Sequence, residues 1–132
     1  MAVNNVLGLD IGEKRVGVAR VGMIARIPEP LGALINDATF SEALQRLITE
    51  YQPDILVVGL PRNLDGQETP QSHYAREFSQ QNLVNYGLPI VFQDETLSSR
   101  VAEERLKGKS YAKGDIDAQA AVVILEDYLQ TV

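Results

Sequence analysis

Apolar residues occur in short blocks along the chain, and the spacing within each block predicts one element. Val6–Leu9 is a brief apolar run ending at Asp10, the pattern of a buried strand, and Gly12 follows as a turn. Arg15–Val21, rich in Val and Ala, predicts a second strand that forms a hairpin with the first. Ile24 to Leu34 predicts a third, interrupted by Pro28 and Pro30. Thr39-Phe-Ser-Glu42 matches a capping box. Phe40, Ala43, Leu44, Leu47, Ile48 and Tyr51 then recur at i, i+3, i+4, i+7, i+8 and i+11, the clearest amphipathic helix in the chain, which Pro53 ends. Ile55–Leu60 reads as a strand buried on both faces and closed by Pro61, and Arg62–Glu68 as a polar loop. Thr69-Pro70 is an Ncap–N1 pair for a helix running to about Tyr86, with Gly87 as its stop. Ile90–Gln93 predicts a strand ending in Asp94-Glu95, and Ser98 or Ser99 caps a short helix through Leu106. A basic loop from Lys107 to Gly114 leads to a last helix, capped by Asp115 and ending near Leu129. Strands alternating with helices predict an α/β fold. With no repeat, linker or low-complexity tract, residues 1–132 are expected to form one domain.

Composition narrows the function classes. Hydrophobic residues make up 45% of the 132 and charged residues 23%, enough for one soluble core and wrong for a disordered tail. The absence of cysteine excludes a disulfide framework, a thiolate zinc site and a Cys nucleophile. The longest apolar run, Ala120–Leu125, is far short of the ~20 residues of a membrane helix. The opening Met-Ala-Val-Asn-Asn lacks the basic and apolar regions of a signal peptide, so a cytoplasmic location is expected. The net charge of −6 argues against a broad phosphate-coating surface but permits a local one. Arg100, Arg105, Lys107, Lys109 and Lys113 put five of the twelve basic residues within fourteen positions. Such a patch suits a nucleic-acid backbone, with Tyr111 able to stack on a base, although a solvated loop would look the same. Lys14 with Arg15, and Arg62 with Asn63, are further candidates for phosphate contact. His73, the single histidine, has no nucleophile or ligand pattern around it and is expected at the surface.

The sharper chemistry lies in the carboxylates. Ligand sites of open α/β sheets sit at the carboxyl ends of strands, and Asp10 and Asp94-Glu95 end two predicted strands. Asp117 precedes Ala121, Ile124, Leu125 and Tyr128 at i+4, i+7, i+8 and i+11, so it falls on the apolar stripe of its own helix. A carboxylate there needs a cation or several donors. Three converging carboxylates suit Mg²⁺, which prefers oxygen ligands, and such ions activate water for phosphodiester cleavage. Acidic residues at strand ends also serve as turn formers, and spacing alone does not bring the three groups together.

Four segments, in order, resemble the YqgF (RuvX) family. They are Leu9-Asp10-Ile-Gly-Glu-Lys-Arg-Val-Gly-Val-Ala19, Val57-Val-Gly-Leu-Pro-Arg-Asn-Leu-Asp-Gly66, Asp94-Glu-Thr-Leu-Ser98 and Ile116-Asp-Ala-Gln-Ala-Ala-Val-Val-Ile-Leu125. The resemblance runs from about residue 6 to 129. That family is described as pre-16S rRNA nucleases and was earlier named Holliday junction resolvases. The resemblance implies a ribonuclease H-like fold of the RuvC-resolvase type: a five-stranded mixed sheet, the first three strands antiparallel, with helices on both faces. It implies phosphodiester hydrolysis with one or two Mg²⁺ or Mn²⁺ ions held by Asp10, Glu95 and Asp117, with Asp94 as a possible additional acid. Relatives of RuvC carry an acidic residue on the strand that here reads Val57-Val-Gly59, and this chain has none. The expected substrate is the 16S rRNA precursor. Branched DNA is the alternative, and would require a homodimer in place of a monomer; a non-catalytic nucleic-acid-binding factor is a third reading. Asp10-Ile-Gly12 also resembles the phosphate turn of sugar kinases and actin-like ATPases, which need a second such domain.

Overall fold

A computed structural model describes residues 2–95 and 98–132, the side chains of Ser98 and Ser99 excepted. Strands β1 (Asn5–Ile11), β2 (Arg15–Gly22) and β3 (Glu29–Ile35) precede helix α1 (Phe40–Tyr51). Then come β4 (Ile55–Pro61), α2 (Pro70–Asn82), a 3₁₀ turn (Val84–Tyr86), β5 (Ile90–Glu95), α3 (Ser98–Leu106) and α4 (Lys113–Leu129). The sheet order is β3-β2-β1-β4-β5. β1–β2 and β2–β3 are antiparallel, whereas β1–β4 and β4–β5 are parallel. This is the expected five-stranded mixed sheet.

The pleat of the central strands divides the core into two layers. Leu7, Leu9 and Ile11 of β1, Val16 and Val18 of β2, and Leu56, Val58 and Leu60 of β4 pack against Phe40 and Leu44 of α1 and Ala75 and Phe78 of α2. On the opposite face Val6, Ala19, Val21, Ile55 and Val57 meet Ala121, Val122, Ile124, Leu125 and Tyr128 of α4. α3 packs on α4. α4 is therefore enclosed between sheet and helix, which is why it is apolar nearly all round from Ala118 to Leu125. Among the described residues no helix is long and apolar enough to cross a membrane.

Several boundaries differ from the sequence reading, each for a local reason. β3 starts at Glu29 rather than Ile24, because residues 23–28 form the β2–β3 turn and leave Ile24 99% exposed. Arg26 holds that turn, with φ of 58° and a guanidinium that donates to the Leu129 carbonyl at 2.7 Å. Pro30 is tolerated because β3 is an edge strand. β5 extends through Asp94 and Glu95, so both are strand residues. α2 ends at Asn82, where buried Leu83 turns the chain and Tyr86 Oη donates to the Ser41 carbonyl at 3.0 Å. α4 begins at Lys113. Asp115 is its third residue and reaches back to accept from the Ala112 N–H at 3.0 Å, so it caps from inside the helix rather than ahead of it. Ser98 and Ser99, the expected caps of α3, lie outside the described side chains.

The cap of α2 is as expected: Thr69 accepts from the Ser72 N–H at 3.1 Å, and Ser72 Oγ accepts from the Thr69 N–H at 2.9 Å. The cap of α1 is not. Thr39 has helical dihedrals and makes no side-chain cap bond. Asp37 takes the role, its carboxylate accepting from the Thr39 N–H at 2.8 Å and its carbonyl from the Phe40 N–H at 3.1 Å. The Thr39 hydroxyl, which also donates to this carboxylate, and then the Thr39 N–H hold the Asp37 carboxyl below its ordinary range. Asp37→Ala is therefore expected to lower the melting temperature at pH 7 more than Thr39→Ala. Its deficit should shrink as pH falls through the lowered carboxyl value, because the favoured carboxylate is then lost from the wild type as well. Paired thermal melts across acid pH check this.

Candidate active site

Strand periodicity decides which side chains reach the functional end of the sheet. Val6 faces α4, and Gly8 does too, since a Cβ there would lie 2.6 Å from Leu125 Cγ. Two residues on, Asp10 points the same way at the end of β1. On β5, Val91 packs in the α4 layer, so Glu95 faces it as well. Asp94 points oppositely. β4 runs between these strands, pairing Val58 with Leu9 and Pro61 with Glu95. α4 brings in Asp117 at its N-terminal end, with the Asp117 backbone lying directly on Gly17 of β2. A cavity of about 240 Å³ results, lined by Asp10, Gly12, Gly59, Gln71, Glu95 and Asp117 among others. It opens at the carboxyl ends of β1, β4 and β5, the usual ligand edge of such sheets.

The electrostatics of the cavity are those of crowded negative charge. Burial, and then the charge of Asp117, push the Asp10 carboxyl up to about 6. Asp117 Oδ2 accepts from Arg15 Nε at 2.6 Å across 102 residues of sequence. Glu95 is only 8% exposed. The Asp94 side chain is 65% exposed and accepts from Arg62 Nε at 3.0 Å outside the cavity. The pleat thus separates two adjacent acids into one that lines the cavity and one that faces solvent.

Among the described residues no group of three His, Cys, Asp or Glu side chains closes on a metal-sized point as it stands. The donor set nonetheless suits a hard divalent cation: three carboxylates line one cavity, and Asp10 is buried there beside the charge of Asp117. No carboxylate is available from β4, where Gly59 stands. A Cβ at that position would come within 2.3 Å of Ile124 Cδ1, so α4 fills the space that a side chain would need.

The other candidates are placed as follows. Lys14 is exposed at the β1–β2 turn, while Arg15 turns to Asp117. Arg62 braces the loop after β4, pairing with Asp94 and donating its backbone N–H to the Glu95 carbonyl at 2.7 Å. Asn63, expected as a phosphate contact, also closes this loop: its side-chain oxygen accepts from the Asp65 and Gln67 N–H groups. Arg100 on α3, Lys107 and Lys109 beyond it, and Lys113 in the first turn of α4 are all exposed, and none lines the cavity. His73 is exposed, as expected, and so is Tyr111. Gln71 went unnoticed in the sequence. It lines the cavity from the first turn of α2 and donates to the Ile11 carbonyl, and no spacing marks it.

Helices on both faces of a five-stranded mixed sheet of this order, with three carboxylates lining the end of its parallel strands, place the chain in the ribonuclease H-like class of fold. Within that class the chain belongs to the RuvX family, whose model, described as Holliday junction resolvase, matches residues 4–131. A relative from Shewanella oneidensis named "Putative pre-16S rRNA nuclease" is 38% identical over 98% of this chain and 96% of its own length. One of the same name from Sulfurihydrogenibium is 39% identical over 96% of this chain and 90% of its own. Among solved structures, T. thermophilus RuvC in complex with a Holliday junction substrate aligns with a TM-score of 0.60 at 12% identity, covering 97% of this chain and 96% of that one. The Fowlpox virus resolvase complex aligns with a TM-score of 0.50 at 17% identity, covering 96% and 97%. At these identities the structural matches establish the fold.

Proposed function

We propose that this protein is a divalent-metal-dependent endonuclease that cleaves structured RNA and processes the 5′ end of the 16S rRNA precursor in the cytoplasm. The observation that carries the reading is the meeting of Asp10, Glu95 and Asp117, from β1, β5 and α4, in one cavity. The names of the full-length relatives support the substrate. Asp10, Glu95 and Asp117 would hold one or two Mg²⁺ or Mn²⁺ ions. A bound ion would supply Lewis acidity toward the attacking water and the phosphodiester. Lys14, at the turn flanking the cavity, would orient the scissile phosphate, and Arg62, paired with Asp94 just outside it, would contact the neighbouring backbone. Arg100, Lys107, Lys109 and Lys113 would hold the flanking backbone, and the 132 residues would act as one domain.

The test is incubation of purified protein with a labelled 16S precursor 5′ leader and Mg²⁺ or Mn²⁺, beside an Asp10→Asn variant and a four-way DNA junction. RNA cleavage that vanishes in the variant supports the proposal. Preference for the junction would favour branched DNA, the reading that the family model's description supports. Paired symmetric cuts need a two-fold dimer, so a strict monomer by gel filtration would count against that alternative. Binding of both substrates with cleavage of neither would leave a non-catalytic binding factor.

The basic segment makes a separate prediction. Each phosphate contact to single-stranded nucleic acid contributes about 0.7 to the slope of log K against log salt. Removing both charges in a Lys107→Gln/Lys109→Gln double variant should therefore reduce that slope by about 1.4. An unchanged slope would show that this segment does not touch the RNA.

A further inference from the structure

Arg15 is fixed in the fold as if for a purpose beyond substrate attraction. Its carbonyl accepts from the Gly12 N–H at 3.0 Å, which closes the β1–β2 turn, and its backbone pairs with Ile35 of β3. The Cα is thus pinned from both sides. Gly17, two residues along the same strand, lies under the Asp117 backbone, so the pleat sends Arg15 to that same face. Its side chain is 32% exposed, at the rim of the cavity, and its Nε reaches Asp117 Oδ2 at 2.6 Å.

We infer that Arg15 is a built-in counter-cation that competes with the divalent ion for Asp117 and is released to the substrate phosphate when the ion binds. The inference rests on the metal site proposed above. In the metal-free protein the guanidinium neutralises part of the cavity's negative charge. A divalent ion held by Asp117 would stand a few ångströms from that guanidinium, and like charges at such a distance repel strongly in partly buried surroundings. The planar fork of an arginine matches a phosphodiester's paired oxygens, so an incoming backbone gives the displaced guanidinium a new partner. Ion and RNA then favour each other's binding through one side chain, and by linkage each raises the other's affinity. Arg15 is a positioning residue for the ion and a contact residue for the RNA.

Calorimetric titration with MnCl₂ alone, on wild type, Arg15→Gln and Arg15→Lys, tests this without reference to turnover. Arg15→Gln is expected to bind Mn²⁺ about tenfold more tightly than wild type, the scale of a single relieved charge repulsion. Arg15→Lys, which keeps the charge, is expected to stay close to wild type. Thermal melts add a second readout: without metal Arg15→Gln should melt below wild type, and Mn²⁺ should restore more of its stability than it adds to wild type. Binding by Arg15→Gln alone, with none by wild type, would also support the inference. An Arg15→Gln protein that is folded and binds Mn²⁺ no more tightly than wild type overturns it and leaves the metal site standing. No binding by wild type or by either variant overturns the metal site and the inference together.

Discussion

Replacing Asp10 by Asn is expected to make the metal-free protein more stable at neutral pH while abolishing hydrolysis. The carboxyl of Asp10 rises from its ordinary 3.8 to about 6 in the folded chain, first through burial and then through the charge of Asp117. The folded protein therefore holds this proton more tightly than the unfolded one. Its relative stability is greatest below pH 3.8, declines as pH rises from 3.8 to 6, and stays reduced above that. A shift of this size corresponds to about 3 kcal/mol at most, and residual solvent contact brings the expected gain in Asp10→Asn to about 2 kcal/mol at pH 7.5. In a chain of this length that is a rise of roughly 5–10 °C in melting temperature. Near pH 4 the two proteins should melt together. Saturating Mg²⁺ should stabilise wild type far more than the variant and narrow or reverse the order. Loss of a metal-holding carboxylate should lower the cleavage rate by about a thousandfold or more. Melts at several pH values with and without Mg²⁺ check the first part, and the labelled-leader assay the second. A variant less stable than wild type at pH 7.5 without metal would mean that Asp10 is solvated or already neutralised.

That trade of stability for function explains why the site was only partly legible in the sequence. Asp10 and Asp117 stood out because each breaks a hydrophobic pattern, one ending an apolar strand and the other occupying the apolar stripe of a helix. Glu95 could not be separated from Asp94 by pattern, since β5 is only half covered and its alternation is weak; the pleat settles which of them lines the cavity. The five strands were readable because β1 and β4 are apolar for physical reasons that period and length expose, whereas the placing of helices on both faces came from the family resemblance alone. The start of β3 was misplaced because Ile24 and Ile27 look like strand residues yet sit in a turn. The capping box at Thr39 failed because Asp37, two residues earlier, offers a charged acceptor to the same backbone. The Arg15–Asp117 pair spans 102 positions, and no local spacing encodes a contact that only the stacking of α4 on β2 creates.

That stacking supplies the second large effect, a Gly17→Ala variant. Gly8, Gly17 and Gly59 all lie under α4, although they are not equivalent. A methyl at Gly59 would stand 2.3 Å from Ile124 Cδ1, the end of a side chain that can change rotamer. A methyl at Gly17 would stand 1.9 Å from the Asp117 carbonyl oxygen and 2.3 Å from its carbonyl carbon. That obstacle is backbone, so the first turn of α4 must lift off β2 to restore ordinary contact. Overpacking of this kind destabilises by about 1–3 kcal/mol, and a backbone clash belongs at the upper end. The same lift moves Asp117 relative to Asp10 and Glu95, and a displacement of about 1 Å in a catalytic group lowers rate by about a hundredfold. Gly17→Ala should therefore lose stability and activity together and bind Mn²⁺ more weakly. Gly59→Ala should lose about 1 kcal/mol and keep most of its activity, because the carboxylates stay where they are. Melting temperature, cleavage rate and Mn²⁺ affinity measured on the pair separate the two. Equal losses in both variants would mean that the seat of α4 is soft, and that Asp117 owes its position to Arg15 more than to the packing of glycine against its backbone.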